Sequence, residues 1–536
     1  MARLTRPKFF LPICFALGLL FDLLFWDKRW GISFFLYIAI VMVVGLWLGK
    51  QLKLRPARRS WWLGGAALAL AAVSAIYTEE YTLLFTRGFS LLLLALFAVD
   101  FLAGDWLNHR FSDFVGKLVA FIPLGWMAGA EFKPVRARGK QAKSAWGAVR
   151  GLVLALPVVL VLASLLASAD KAYSDFLEQI VTLLRLEDLP EYVFRLILAS
   201  VLAVLIFGAF VYAFVRSRAG AAKAAVVKPF LGFTEASIIL GSVTVLLSSF
   251  VFLQLQYFFG GTANIFGPDA SATFAEYARR GFAELCVVSA LVLALFVLLS
   301  SVTKRSAKQQ KYFSGLGIAL LALLAVVLVS AFKRLLLYEE AYGYTSMRLL
   351  PHIFMVWLGL LLLAIVVLEF SGRQRHFAAA VLLAAVGFVA TLPIINLDAF
   401  TVRANIAHGL QPSPYPERRE TVDRMHLANL SPDAVPALVS GYLEQRAAGN
   451  EELAEQLGIA IACNAKKHND YAQQGTEWTL SRVLAANALQ QAREHGELPQ
   501  VHEMGYTYQE MIIDGRVYQD YVTIDGTDYG CYYPEQ

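Results

Sequence analysis

From Met1 to about Leu397 the chain alternates between long apolar runs and short polar loops, and from Asp398 onward it is polar. A helix needs about 20 mainly apolar residues to cross the hydrocarbon core of a bilayer. Runs of about that length lie near residues 9–26, 31–49, 61–77, 82–103, 150–169, 192–215, 235–259, 281–302, 313–335, 349–370 and 377–397. The pattern predicts an all-α integral membrane protein with about eleven transmembrane helices, the first of them retained rather than cleaved as a signal peptide.

One further apolar stretch, Leu118–Ala130, is too short to cross the bilayer and contains Pro123. Runs of about 10–14 residues are typical of interfacial or re-entrant segments. We therefore predict that it stays on the cytoplasmic face.

The polar end of the chain predicts a second part, so the expected domains are a transmembrane bundle over residues 1–397 and a C-terminal domain over residues 398–536. In NLSPDAVPALVSGYL, Ser431 is a candidate N-cap, Pro432 suits a first helical turn, and Asp433 suits the helix dipole. Residues 451–466 and 476–495 have helical apolar spacing. The final stretch favours strands around Asp514-Gly515, a hairpin turn signal. The prediction is a small, mainly helical domain that ends in a β-hairpin.

The composition agrees with a membrane protein. The 536 residues are 58% hydrophobic and 16% charged, with a mean hydropathy of +0.56, whereas soluble domains carry roughly a quarter charged residues. The net charge of +6 comes largely from short loops between apolar runs. Such loops fix membrane topology, so the basic balance gives no support for nucleic-acid binding.

The basic loops also predict the orientation. With the N-terminus in the cytoplasm, eleven spans place KQLKLRPARRS, KPVRARGKQAK, VRSRAGAAKAAVVK, VTKRSAKQQK and SGRQRH on the cytoplasmic side. The opposite loops are acidic or mixed in sign. This distribution follows the positive-inside rule, and an odd number of spans then places the C-terminal domain outside the cytoplasm.

Polar residues collect at the predicted outer ends of the helices. This outer polar layer comprises Asp170, Asp175, Gln254, Gln256, Arg279, Arg280, Glu284, Arg334, Glu339, Glu340, Arg348, Asp398, Arg403 and Asn405. A buried charge without a partner costs several kcal/mol, so we expect these groups to pair across helices. The layer is either a structural clamp that docks the C-terminal domain or a pocket for a lipid headgroup, an ion or a small solute.

The sequence contains none of the common catalytic or nucleotide-binding motifs, such as GxxxxGK[ST], GxGxxG, HExxH, CxxC or GxSxG. We therefore predict no catalytic residues, no metal site and no cofactor. Cys14 and Cys286 fall in apolar runs. Cys463 and Cys531 lie in the C-terminal domain, where an oxidising compartment would permit a disulfide between them.

Six phrases recur in an order that resembles a known family. They are GLVLALPVVLVLASLLASADKAYSDFL, FVFLQLQYFFGG, TFAEYARRGFAEL, RLLLYEEAYGYTSMRL, LPIINLDAFTVRANI and LSPDAVPAL, followed by EWTLSRVLAANAL. The chain resembles the DUF4173 (DUF4153-like) group of uncharacterised bacterial multi-pass membrane proteins over roughly residues 151–489. The resemblance implies a bacterial cell-membrane protein and no particular reaction.

Three classes of function remain open. The leading one is a non-enzymatic accessory, scaffold or sensory protein of the envelope, which contacts the lipid bilayer and, through the C-terminal domain, an envelope protein or glycan. Seven tyrosines between Tyr506 and Tyr533 could serve such a contact or fill a small sheet. The second class is a transporter or flippase, which requires a cavity that reaches Asp22, Arg87, Gln254 or Glu284. The third is a membrane enzyme on lipid-linked substrates, which requires a carboxylate such as Asp170 or Glu339 at a lateral groove.

Overall fold

The computed structural model describes residues 9–129, 171, 189–217, 229–259, 282–409, 422–468, 471, 475–494, 498, 501–503, 506–513, 516–524 and 527–531. The apolar runs in these residues form helices. They are α1 (Phe10–Phe25), α2 (Ile32–Gln51), α3 (Ser60–Ile76), α4 (Glu80–Val99), α5 (Phe111–Gly129), α6 (Leu189–Val211), α7 (Phe233–Phe259), α8 (Phe282–Val302), α9 (Ala307–Tyr342), α10 (Ser346–Phe370) and α11 (Phe377–Ile395).

Within the described residues, eight helices are long and apolar enough to cross a membrane: α2, α4 and α6 to α11. Helices α1 and α3 are also apolar but have only 16 and 17 residues. The predicted span near 150–169 lies outside the described residues. The class of multi-pass helical membrane protein is thus confirmed, and the count of eleven spans stays a prediction.

The chain divides into two compact units, of which the first comprises residues 1–27, 41–55 and 121–216. In this unit α1 packs against α6. The buried ring of Phe10 meets Phe207 edge-on, with centroids 5.3 Å apart. Near the other end of α1, Arg195 of α6 donates to Asp22, with Nη2 and Oδ2 2.8 Å apart. This half-buried ion pair satisfies a carboxylate that lies within an apolar helix.

The second unit comprises residues 28–40, 56–120 and 217–536. Here α3 packs against α4, while α7 to α10 share a core that includes the fully buried Phe296, Leu320 and Leu335. Helix α11 packs against both α4 and α10. All the contacts of the candidate site described below lie within this second unit.

The helix connections of the second unit collect in two groups. The α2–α3 and α4–α5 connections meet where the Ala57 amide donates to the Phe101 carbonyl at 2.8 Å. His376, in the α10–α11 connection, contacts the Leu107 carbonyl at 3.0 Å in the same region. The α1–α2, α3–α4 and α9–α10 connections lie together with the C-terminal domain instead. This is the alternation that the sequence predicts for antiparallel neighbouring spans.

Two helices are longer than the apolar runs within them. The sequence places Glu339 and Glu340 after the ninth span, but α9 continues through both residues to Tyr342 and has 36 residues. The helix continues past the apolar run because a helix satisfies its own backbone and need not end where that run ends. The position of both residues beyond the membrane-spanning part stays a prediction. Helix α9 ends where Gly343 adopts φ +74°. Likewise, the described part of the stretch 118–130, up to Gly129, belongs to the 19-residue α5, which begins at Phe111 and continues through Pro123.

Five helices build the helical part of the C-terminal end: α12 (Leu397–Gly409), α13 (Arg424–Asn429), α14 (Val435–Ala447), α15 (Glu451–Lys467) and α16 (Leu480–Glu494). Ser431 caps the turn before α14, accepting from the Asp433 amide at 3.3 Å, and Pro432 occupies its first position, which confirms both assignments. Residues of α12 to α16 share one core, in which Val402, Leu438 and Leu457 are fully buried.

Four short strands follow: β1 (Val501–Glu503), β2 (Tyr506–Ile513), β3 (Arg516–Ile524) and β4 (Thr527–Gly530). Strand β3 pairs antiparallel with the other three, and Ile513 lies opposite Arg516 across the β2–β3 pair. Asp514 and Gly515 themselves lie outside the described residues. The buried Val522 of β3 joins the core of the C-terminal helices.

A disulfide joins Cys463 of α15 to Cys531, which follows β4, with their Cα atoms 5.5 Å apart. Both cysteines lie in the core of the C-terminal helices, while Cys14 and Cys286 are buried free thiols. The bond ties the end of the chain to the helical layer across a sequence separation of 68 residues.

We predict that Cys531→Ser destabilises the C-terminal domain by about 4 kcal/mol, because a cross-link over a loop of this length restricts the unfolded chain. Thermal unfolding of the detergent-solubilised protein should show a lower midpoint in the variant and in reduced wild type. The double variant Cys463→Ser, Cys531→Ser is the control and should not respond further to reductant. An unchanged midpoint in reduced wild type would contradict a stabilising disulfide.

Candidate functional site

A cavity of about 1500 Å³ lies where helix connections meet the C-terminal helices, and we call it the chamber. Its lining residues are Arg29, Trp30, Gly31, Tyr77, Thr78, Glu79, Glu80, Tyr81, Leu83, Arg87, Phe282, Tyr338, Thr345, Ser346, Met347, Arg348, Asp398, His426, Asn429, Leu430, Ser431, Pro432, Lys467, His468, Glu477, Thr479 and Arg482. The membrane helices provide one part of its wall and the C-terminal helices provide the other.

Asp433 attaches the C-terminal helices to the α3–α4 connection. Its Oδ2 accepts hydrogen bonds from the backbone amides of Thr78 at 2.9 Å and Glu79 at 2.7 Å. The side chain is buried, and burial raises the pKa of this carboxyl to about 6. The sequence assigned Asp433 to the dipole of its own helix, whereas its carboxylate binds amides that precede α4.

Glu79 is the N-cap of α4. Its carboxylate accepts from the Tyr81 amide at 2.9 Å and the Thr82 amide at 2.6 Å, two of the amides that a helix start leaves without a helical partner. Burial, followed by the nearby charge of Asp398, raises the pKa of Glu79 to about 7. Glu79 therefore lines the chamber as a carboxyl group that titrates near neutral pH.

Asp398 makes a second attachment. Its Oδ1 accepts from the Ser346 hydroxyl at 2.7 Å, at the start of α10, and its Oδ2 accepts from the Ser431 amide at 2.8 Å. The residue is only 3% exposed, so both oxygens are satisfied inside the protein. One carboxylate thus joins a membrane helix, α12 and the turn before α14.

Asn405 fixes the α9–α10 connection. Its side-chain oxygen accepts from the Tyr344 amide and its side-chain nitrogen donates to the Tyr344 carbonyl, both at 2.8 Å. The adjacent Gly343 has a positive φ, and a Cβ there would lie 2.7 Å from the Asn405 oxygen. A side chain at position 343 would therefore displace the connection that carries Thr345, Ser346 and the rest of this wall.

The α1–α2 connection meets the C-terminal helices through its backbone. The Ile32 amide donates to the Trp478 carbonyl at 3.0 Å. Gly31 allows this approach, since a Cβ on it would lie 2.6 Å from the same carbonyl oxygen. The contact places Arg29 and Trp30 at the chamber.

Five cationic side chains line the chamber: Arg29, Arg87, Arg348, Lys467 and Arg482. Arg87 starts within α4, but its guanidinium donates to the Ser74 hydroxyl at 3.0 Å and to the Trp30 carbonyl, so it reaches toward the helix ends. Arg348 donates to the Gly343 carbonyl at 2.7 Å and lies over the Tyr338 ring.

Burial lowers the basicity of the groups that the C-terminal helices contribute. It lowers the pKa of His468 to about 4 and also lowers the pKa values of His426, Lys467 and Arg482. At neutral pH both imidazoles are uncharged, while Lys467 and Arg482 remain cations in a partly dehydrated environment.

The structure separates the predicted outer polar layer into groups. Arg348 and Asp398 line the chamber, and Asn405 holds its wall. Glu339 instead contacts the imidazole of His352 at 3.0 Å in the buried α9–α10 interface, and the Glu340 carbonyl meets His408 at 2.8 Å. The remaining described members, which are not among the lining residues, are Glu284, Arg334 and Arg403.

Six predicted residues cannot be placed. Asp170, Asp175, Arg279 and Arg280 lie outside the described residues, as do the side chains of Gln254 and Gln256 on α7. For the members with described partners, the bonds run to hydroxyls, backbone groups and an imidazole. The pairing of these members with Arg279 or Arg280 across helices stays a prediction.

Sequence reasoning did not select Arg29, Glu79, Lys467 or Arg482 for the site. A signal existed for Glu79, because two adjacent acidic residues, Glu79 and Glu80, stand shortly before an apolar run, and acidic residues are enriched at helix starts. Lys467 and Arg482 carried no such signal, since charged residues on amphipathic helices usually face solvent. Their place depends on how the C-terminal helices dock.

Among the residues that the structure describes, no group of three or more His, Cys, Asp or Glu side chains is placed to hold a metal ion. The lining groups of the chamber offer hydrogen-bonding atoms and charge. These features define a multi-pass α-helical membrane protein with a polar chamber at the helix ends.

The chain belongs to the family described as "Domain of unknown function (DUF4153)", whose model matches residues 13–441. The matched residues include the membrane helices and continue through α14. The narrower DUF4173 assignment stays a prediction. No curated protein and no solved structure matches the chain.

We predict that Asp433→Ala lowers the free energy of unfolding by about 3 kcal/mol, because it leaves the Thr78 and Glu79 amides buried without their acceptor. Asp433→Asn keeps one acceptor and should cost less. The midpoint of thermal unfolding measures the loss of stability in both variants. The control is Asp423→Ala, which removes an exposed cap of α13. Equal midpoints for Asp433→Ala and wild type would contradict the attachment.

We also predict that the stabilisation contributed by Glu79 is lost as pH rises from about 5 to 8. The pKa of Glu79 is about 7 in the folded protein against an ordinary 4.5, so the folded state holds this proton more tightly. The resulting stabilisation is complete below pH 4.5 and is lost as pH rises through 7. Each unit of difference between the pKa in the folded and the unfolded protein corresponds to about 1.4 kcal/mol of folding free energy. The difference in unfolding midpoint between wild type and Glu79→Gln should therefore change across this range, and a slope in the variant identical to that of wild type would refute the assignment.

Proposed function

We propose that the protein is a non-enzymatic component of the bacterial cell envelope, in which the C-terminal domain lies outside the cytoplasm and completes a ligand-binding chamber on the membrane helices. The observation that carries the proposal is the chamber itself, since its wall combines helix connections with residues of α12, α13, α15 and α16. A scaffold or sensory role follows, because a ligand there would contact both parts of the chain at once.

Two independent features support this orientation. The connections at the end of the bundle away from the chamber are basic, with Lys304, Arg305 and Lys308 beside α9 and Arg373 and Arg375 after α10, as the positive-inside rule requires of cytoplasmic loops. The disulfide of the C-terminal domain belongs to an oxidising compartment. Both features support an extracytoplasmic position for the chamber.

A transporter or flippase is the second candidate, because the chamber reaches Arg87. However, the Arg87 guanidinium donates to Ser74, near the end of α3, and to the Trp30 carbonyl in the α1–α2 connection. Both acceptors lie near helix ends rather than deep in the bundle. The described lining residues come from one end of the membrane helices. That geometry favours binding over passage.

An enzyme on lipid-linked substrates is the third candidate, and it requires a chamber carboxyl group with a raised pKa. Glu79 has this property, but its carboxylate is engaged as the cap of α4. Glu339 is buried against His352 and is not at the chamber. Binding therefore remains the better supported function.

We predict that a cysteine at Met347 reacts with a membrane-impermeant maleimide in intact cells, whereas a cysteine at Arg373 reacts only after lysis. These positions lie at opposite ends of α10, and Met347 is an exposed chamber residue. Wild type is the control, because its free cysteines Cys14 and Cys286 are buried. Labelling of Arg373→Cys but not Met347→Cys in intact cells would invert the topology and remove the proposed function.

A further inference from the structure

An apolar groove of about 550 Å³ runs along α8, with Phe282 at one end and Val297 at the other. Its lining side chains are apolar and come from α4, α5, α8, α10 and α11. Fifteen residues separate Phe282 from Val297, which is about 22 Å along a helix. The groove therefore extends over most of the roughly 30 Å hydrocarbon core.

The groove opens at the side of the bundle. Of its lining residues on α8, Val287 is 56% exposed, and Ala283 and Ala294 are also exposed. Helix α8 is one of the candidate spans, so this surface faces the hydrocarbon chains of the bilayer. A long apolar chain can enter such a groove laterally without crossing a polar barrier.

The groove and the chamber meet. Phe282 lines both of them. On α10, Arg348 lines the chamber and Pro351, about one turn later, lines the groove. On α4, Arg87 lines the chamber, while Phe85 and Phe89 line the groove. Two helices, α4 and α10, therefore each carry an arginine of the chamber close to apolar residues of the groove.

The charges of the chamber suit an anion. Its five cationic side chains come from five separate segments of the chain, and Arg and Lys are the residues that bind phosphate best. Four carboxylates also line it: Glu79 and Asp398, whose oxygens already accept hydrogen bonds, and Glu80 and Glu477. A phosphate group would therefore be placed beside the arginines rather than beside the two bonded carboxylates.

The chamber lies at the level of lipid headgroups. The apolar run within α9 ends near residue 335, and Tyr338, which lines the chamber, comes three residues later. Three residues of helix rise about 5 Å. The headgroup layer adds a similar distance, about 5–7 Å, on each side of the hydrocarbon core.

We propose that the chamber and the groove together form one site for a lipid with a phosphate headgroup, the phosphate beside Arg29, Arg87 and Arg348 and the hydrocarbon chain along α8. This inference rests on the proposed function, because it uses the same chamber, and it adds the class of ligand that the chamber would bind. A bilayer phospholipid and an isoprenoid phosphate share this chemistry.

The test is a lipid titration of the full chain in detergent, followed by native mass spectrometry. The probes are phosphatidylglycerol, phosphatidylcholine with the same acyl chains, and a long-chain isoprenoid phosphate, each with and without excess inorganic phosphate. We expect an anionic probe to bind at least about tenfold more tightly than phosphatidylcholine, a factor that corresponds to about 1.4 kcal/mol. Preference for the isoprenoid phosphate would assign a carrier lipid, and preference for phosphatidylglycerol would assign a bilayer lipid.

Two pairs of variants locate the site. Ala290→Trp fills the groove and should abolish the tight binding, whereas Leu291→Trp, an exposed neighbour on α8 outside the groove, should not. Arg29→Gln should weaken binding of the anionic probe about fivefold, and Arg403→Gln, an exposed arginine outside the chamber, should leave it unchanged.

Equal binding of anionic lipids and phosphatidylcholine by wild type would overturn the inference, and so would tight binding that Ala290→Trp leaves intact. The comparison among lipids uses only wild type, so it stands even if a variant does not fold. Labelling of Met347→Cys in intact cells is independent of this result. If that labelling succeeds and lipid selectivity is absent, the chamber remains and only its ligand class is wrong.

Discussion

The arrangement of the second unit depends on one carboxylate that accepts hydrogen bonds from two amides more than 350 residues earlier in the chain. Asp433 binds the amides of Thr78 and Glu79, which precede the first turn of α4. The side chain of Glu79 then binds the next exposed amides of the same helix start. The beginning of one membrane helix is therefore satisfied jointly by its own cap and by the C-terminal helices.

This attachment determines what surrounds the chamber. With Asp433 in place, Asp398 reaches both the start of α10 and the Ser431 amide, and the α1–α2 connection meets Trp478. The C-terminal helices form a rigid wall because they have a core of their own and a disulfide that holds the last strand to α15. The chamber is consequently a property of both parts of the chain, and neither part would form it alone.

The sequence predicted the features that depend on local composition. Apolar length gave the membrane helices, because the thickness of the bilayer sets the length of a span. The orientation inferred from loop charge stays a prediction. The sequence also predicted the Ser431 cap, which is a local hydrogen bond. It did not predict that α9 continues through Glu339 and Glu340, since apolar length does not determine where a helix ends. It could not give the role of Asp433, because that acceptor binds amides distant in the sequence and local propensity favoured its own helix.

The site shows the same division between local and tertiary causes. Arg348, Asp398 and Asn405 were selected because polar residues next to apolar runs need partners, and the structure places all three in or beside the chamber wall. Glu79 was not selected, although it lines the chamber and its burial raises the pKa of its carboxyl group. A carboxyl group whose pKa lies near 7 carries only part of a negative charge at neutral pH. The five cationic side chains of the chamber already outnumber its four carboxylates, and partial protonation of Glu79 increases that excess. Desolvation of one acid, which is a consequence of docking, thus makes the chamber more electropositive.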